Sequence, residues 1–288
     1  MEKMRLGQTK LQWKAWGFFL PHFVGVVCFF LLPMIRVVAG SFLSAVGSRW
    51  VGLANYQAVL RNGAFRIAAA NTGRFLLVCL PLLLGLSLAL ALGMKKLFWG
   101  GMRTALLLPM AVPAASVVLV WKVLFHEQGL LNHGLTALGL ESVSWMDSGA
   151  AFWMLVLSYL WKNLGYAVIL LLSGLATIPQ EQYAVADLDG ATAWQKIRCI
   201  TIPQMWYSLF FTTVFSLINA FKCFREIFLI GGTHPDNSVY MLQHFINNSF
   251  DRLHYPHLAV ASVLLLVTVG VVFALLYRWV VRKEAYKE

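Results

Sequence analysis

The residues best suited to chemistry in this chain are a few polar and charged side chains set among apolar ones. Asn219, Lys222, Arg225 and Glu226 fall in one apolar run, and Lys162 and Asn163 in another. Positions 219, 222 and 226 share a helix face, so Lys222 and Glu226 can pair at i,i+4. A charge at membrane depth must face a partner or a water-filled cavity. Two readings of the first group stand: the wall of a polar pathway, or a membrane boundary where the charged heads reach water. Lys162 and Asn163, mid-run, favour the pathway. Trp161, Lys162, Asn163, Gly165, Asn219, Lys222 and Glu226 are therefore the candidate pathway residues.

Other chemistries find less support. Neither HExxH nor GxSxG occurs. His126, His133, His234, His244, His254 and His257 all fall on one expected side of the chain. His254 and His257 could share a helix face, but Pro256 separates them and no carboxylate or cysteine cluster joins them, a poor metal ligand set. Cys28, Cys79, Cys199 and Cys223 form no CxxC pair and read as small hydrophobes. The chain has no GxxxxGK[ST], so any ATP hydrolysis falls to another chain. Of its 12 Asp and Glu residues, only Glu226 lies inside an expected span. That speaks against a stand-alone ion-coupled carrier, which keeps acids in the membrane. A membrane-embedded enzyme would need a catalytic cluster at a membrane face.

The elements that position these residues follow from composition. The 288 residues are 59% hydrophobic and 12% charged, with mean hydropathy +0.70. Globular domains run to about 25% charged residues, so this is a membrane protein. Six stretches reach the length of about 20 apolar residues that a helix needs to cross a bilayer. They are 15–39, 71–94, 104–125, 150–175, 205–230 and 257–281. The first is too long for a signal-peptide core and is expected to remain as a span. Pro21, Pro33, Pro81, Pro109 and Pro113 predict kinks. The fold class is all-α: a polytopic membrane protein in which residues 1–288 form a single transmembrane domain. On the outer side, 52–70 and 239–253 suit further helices, the second amphipathic.

The net charge is +11. The basic residues are not gathered on one nucleic-acid-binding face. They concentrate at Lys3, Arg5, Lys10, Lys14, Lys95, Lys96, Arg103, Lys196, Arg198, Arg278, Arg282, Lys283 and Lys287, against Arg49, Arg61, Arg66 and Arg252 in the opposite loops. The positive-inside rule then puts both termini and loop 176–204 in the cytoplasm.

That loop is the least lipid-like part of the chain. Pro179 starts a short helix from about Gln180, Gly190 breaks it, and Trp194–Ile200 suit a second. Fixed ends and a helix–Gly–helix plan describe a compact knob, not a slack linker.

The segment IPQEQYAVADLDGATAWQKIRCITIP, 178–203, resembles the cytoplasmic EAA loop of binding-protein-dependent ABC importer permeases. Asp189-Gly190-Ala191 match its centre, and Ile200, Ile202 and Pro203 follow at the expected offset. The carbohydrate branch of that family is suggested by GLANY at 52–56, NT at 71–72, LP at 108–109, WKVLF at 121–125, GLLN at 129–132 and Gly231-Gly232. The chain departs from the pattern in three places. Ala184 stands where the family has its glutamate, Gly-Gly-Thr-His-Pro replaces Gly-Gly-Pro at 231–235, and Arg225 replaces an acid.

The resemblance implies a six-helix type I importer bundle in a bacterial cytoplasmic membrane, carrying a sugar or sugar derivative by alternating access. It implies a cytoplasmic coupling helix that docks an ATPase subunit through Glu181, Tyr183, Ala184, Asp187, Asp189, Gly190 and Ala191. It further implies a second permease subunit as heterodimer partner and an extracytoplasmic binding protein. ATP and Mg would sit on the ATPase subunits, with no cofactor on this chain.

Overall fold

The computed structural model describes residues 16–17, 19–45, 49–94 and 100–284. Lys3, Arg5, Lys10, Lys14, Lys95, Lys96 and Lys287, which carry much of the charge asymmetry, lie outside them, as does Ala15 at the start of the first expected span.

The described residues are almost entirely helical; Leu43 and Trp50 form an isolated antiparallel bridge. They divide into two compact units. The first takes the described residues up to Asn62 with Ser249–Leu266. Its helix α1, Phe19–Gly40, contains a π-turn at Val27–Leu31. Helix α2, Ala54–Arg61, is fastened to the end of α1 by two side chains of the GLANY motif. Asn55 donates to the carbonyls of Ser41 (2.9 Å) and Leu43 (2.8 Å), and Tyr56 shares a 2.8 Å hydrogen bond with the Ser41 hydroxyl.

The second unit, Gly63–Asn248 with the described part of Val267–Glu288, holds most helices. These are α3 (Gly63–Met94), α4 (Gly100–Ala111), α5 (Ala114–Phe125), α6 (Leu130–Ala137) and α7 (Ala150–Ala176). Then come α8 (Gln180–Leu188), α9 (Ala193–Lys196), α10 (Trp206–Lys222) and α11 (Phe224–Gly231). Helices α12 (Leu242–Asp251) and α13 (Tyr255–Glu284) cross the unit boundary. Among the described residues five stretches are long and apolar enough to cross a membrane: Phe19–Gly40, Gly63–Met94, Ala114–Ala137, Ala150–Ala176 and Tyr255–Val280.

The expected spans need two corrections. The run 104–125 is two helices, α4 and α5, because Pro113 holds an extended ψ of 144° at the N-cap of α5. The run 205–230 is also two, α10 of 17 residues and α11 of eight, parted at Cys223. No proline or glycine marks this second break. The Cys223 N–H is divided between the carbonyls of Asn219 (3.2 Å) and Ala220 (3.3 Å), and the Glu226 N–H reaches Cys223 (3.2 Å). Such i→i−3 bonding tightens a helix end and turns the next segment off the line of the first.

Helix α7 is the centre of this unit. Its 27 residues extend about 40 Å at 1.5 Å per residue, longer than the ~30 Å apolar core of a bilayer. It packs against α3, α4 and α10. Phe75, Cys79 and Leu83 of α3 meet Phe152, Leu155, Tyr159 and Ala167 of α7 in the main core. Two glycines set its closest approaches. A Cβ on Gly165 would lie 1.7 Å from the Leu106 carbonyl oxygen in α4, and one on Gly174 would lie 2.2 Å from Ser208 Oγ in α10. Close backbone approach through small residues replaces the hydrophobic driving force that helices lack inside lipid.

Candidate functional site

The polar residues of α7, α10 and α11 converge at the break. Met110, Ser158, Tyr159, Lys162, Asn163, Asn219, Lys222, Cys223 and Glu226 line a cavity of about 210 Å³. Five of the seven candidate pathway residues are therefore together. The other two are not among its lining: Trp161 packs edge-on against Trp121 at 5.7 Å, and Gly165 serves the crossing with α4.

Within the cavity the expected charge pair is replaced by another. Lys162 Nζ donates to Glu226 Oε1 at 2.6 Å. Lys222 and Glu226 both line the cavity, but among the described residues the i,i+4 pairing between them does not form. Glu226 instead links α11 to the middle of α7. Its side chain is 7% exposed, and its second oxygen, Oε2, has no hydrogen-bond partner among the described residues. Lys222 and Arg225 are exposed, and among the described residues neither pairs with a carboxylate. Tyr159 and Tyr166 close the floor below through Ser216: Tyr159 donates to its carbonyl at 2.7 Å, and Tyr166 shares a 2.8 Å bond with its hydroxyl.

A second surface lies between α7 and α10 in sequence. Helix α8 ends in a Schellman turn. Gly190 N–H reaches the Asp187 carbonyl at 3.1 Å, and Ala191 N–H reaches Ala186 at 2.9 Å. Gly190 supplies the left-handed residue this turn requires, at φ +73°. Thr192 then caps α9 in a reciprocal box with Gln195. Lys196 pairs with Asp187 across the two arms, and Tyr183 shares a 2.9 Å hydrogen bond with Thr201. Tyr183 is half-buried against the lower core. Glu181, Ala184, Val185, Asp187, Leu188 and Asp189 face outward, with Leu188 89% exposed, while Ala191 is half-buried. Ala184, Val185 and Leu188 thus make an apolar strip along α8 at the place where the family pattern has a glutamate.

Over residues 81–286 the chain matches the family described as binding-protein-dependent transport system inner membrane component. The chain belongs to this family. The permease is 31% identical over 226 residues to the sulfoquinovosyl glycerol transport system permease of Agrobacterium fabrum, covering 75% of this chain and 73% of that one. It is 29% identical over 275 residues to the trehalose/maltose transport system permease of Thermococcus litoralis, covering 93% and 92%. Its fold matches a crystal structure of a bacterial ABC transporter that imports alginate, with a TM-score of 0.82, 22% identity, and 96% and 99% coverage. Members of this family are permease subunits and are not themselves enzymes.

Several motif residues of the permease prove structural. Asn71 donates to the Tyr240 carbonyl at 3.0 Å and Thr72 Oγ1 accepts from Leu242 N–H at 3.0 Å, which holds the start of α12. Asn132, 2% exposed, accepts from Val143 N–H and Trp145 Nε1, both at 3.0 Å. The rings of His254 and His257 meet edge-on at 5.6 Å, and no group of three or more metal-ligating side chains occurs among the described residues.

Proposed function

We propose that this permease is one half of the pathway of an ATP-driven importer for a sugar or sugar derivative, coupled to its ATPase through the α8–α9 loop. The substrate class rests on the sulfoquinovosyl glycerol and trehalose/maltose relatives. The coupling role rests on one observation: an outward-facing knob, braced on its own caps and ion pair, joined to α7 by three residues and to α10 by the helical turns Ile197–Thr201 and Ile202–Gln204. Motion imposed on such a body passes into both helices without being absorbed by slack chain. The knob docks its ATPase partly through the apolar strip, where burial of a Leu-sized side chain contributes about 2 kcal/mol.

A second permease subunit completes the bundle, and exposed apolar side chains such as Phe29, Phe30 and Leu77 face it or lipid. An extracytoplasmic binding protein delivers the sugar. ATP and Mg reside on the ATPase subunits, and both termini lie in the cytoplasm. The test is Gly190→Asp in the assembled importer. A Cβ at Gly190 meets nothing within 4 Å, so only the backbone conformation resists it, by about 1–2 kcal/mol. Uptake should fall while expression and basal ATP hydrolysis hold. Unchanged uptake would remove the docking role.

A further inference from the structure

The break between α10 and α11 carries more positive charge than its packing uses. Lys162 is answered by Glu226. Among the described residues no carboxylate answers Lys222 or Arg225, on either side of Cys223, yet both line an open groove with Lys162, Glu226, Gln243, Phe221 and Phe224. Exposed cations on a membrane-embedded helix need water or a charged partner. Glu226 is 5% exposed, lines this groove and the 210 Å³ cavity beside it, and keeps one oxygen without a partner. Two unanswered cations, a buried acceptor, an amide and two aromatic faces make a built site. The groove excludes cations by its net charge. Glu226 Oε2 lies buried in its wall, and Phe221 and Phe224 line it.

We infer that this groove binds the anionic group of an acidic saccharide, a carboxylate or a sulfonate, through Lys222 and Arg225. The inference rests on the importer reading and narrows its substrate. Broken helices lining a midplane site recur in membrane carriers. Here the selectivity lies in Lys222 and Arg225, which no carboxylate answers among the described residues of this chain.

The first measurement reads the groove's charge, whatever sugar the importer carries. In the complete importer, with the four native cysteines changed to serine, Asn219→Cys places a thiol in the cavity wall. Its rate of modification is read with a negatively charged sulfonatoethyl and a positively charged trimethylammonium-ethyl methanethiosulfonate, each normalised to a free thiol. The anionic reagent should be favoured about tenfold, the scale of two unit charges acting across a partly solvated groove. Adding Lys222→Gln and Arg225→Gln should abolish that preference. A ratio near one before that change overturns the inference.

Uptake in proteoliposomes provides the second measurement, with a glucuronate-bearing disaccharide, a sulfoquinovose glycoside and neutral trehalose as probes. Transport of either acidic probe, reduced at least tenfold by the double change, supports the inference. Trehalose uptake without uptake of either acidic probe overturns it and leaves the importer reading intact. Absence of binding-protein-stimulated ATP hydrolysis overturns the importer reading itself.

Discussion

Removing Lys162 should damage this protein more than removing its partner, and removing both should do little harm. The 2.6 Å bond joins a carboxylate that is 7% exposed to an ammonium that is 23% exposed. In Lys162→Met, Glu226 keeps a buried charge with neither oxygen paired. Breaking a buried pair in this way costs about 3–5 kcal/mol. The cavity admits some water, so the lower end applies, about 3 kcal/mol. In Glu226→Leu the surviving lysine already borders the cavity and can turn its flexible stem to water, so the loss is about 1–2 kcal/mol. The double change replaces the pair with apolar side chains of similar size and should lie within about 1 kcal/mol of the parent. Equilibrium unfolding in mixed micelles, followed by circular dichroism, measures all four proteins, and the cycle gives a coupling energy of at least about 3 kcal/mol. Additive losses would refute the reasoning, as would a Lys162→Met protein within about 1 kcal/mol of the parent.

Two further outcomes follow from the geometry. Gly165→Ala should destabilise by about 1–3 kcal/mol or more, because its Cβ meets the Leu106 backbone at 1.7 Å; Gly174→Ala should be milder, since it meets a side chain and not backbone, though Ser208 Cβ at 2.6 Å must still shift. Thermal unfolding of the two proteins side by side checks the order. His244, fully buried between Phe224 and Tyr240 and outside the spans, is held down to about 4 by desolvation. The unfolded chain takes up that proton near pH 6.5 and the folded one does not. Stability is therefore complete above pH 6.5, falls by up to about 3 kcal/mol as the pH drops to 4, and is level below. Denaturant titrations from pH 7.5 to 4.5 should show this slope in the parent and not in His244→Phe.

The helical class, the knob at 178–203 and most of the polar cluster are readable in the sequence, because hydropathy, glycine and charge are local signals. Pro113 announces its break; the one at Cys223 has no such marker. It comes from a shared backbone hydrogen bond within NAFKCFRE, and periodicity runs straight through it. The pairing of Glu226 with Lys162, 64 positions away, is equally unmarked, because it needs two helices brought together. Gly165 reads as a pathway residue, but a glycine looks the same in sequence whether it clears a path or admits a neighbouring helix. Only the 1.7 Å approach to Leu106 shows the second. The roles of Asn55, Asn71 and Asn132 are likewise invisible, since each holds a backbone partner supplied by folding.

The α8–α9 loop closes its own hydrogen bonds: Gly190 and Ala191 satisfy one helix end, Thr192 and Gln195 the next, and Asp187 and Lys196 tie the two. Its shape is written within some twenty consecutive residues, so it is portable. Grafted between the equivalent helices of another permease, it should keep its form and carry with it the preference encoded by Ala184, Val185 and Leu188. Under the proposed docking role, partner choice is then a detachable address, able to change independently of the cargo proposed to bind between α7, α10 and α11.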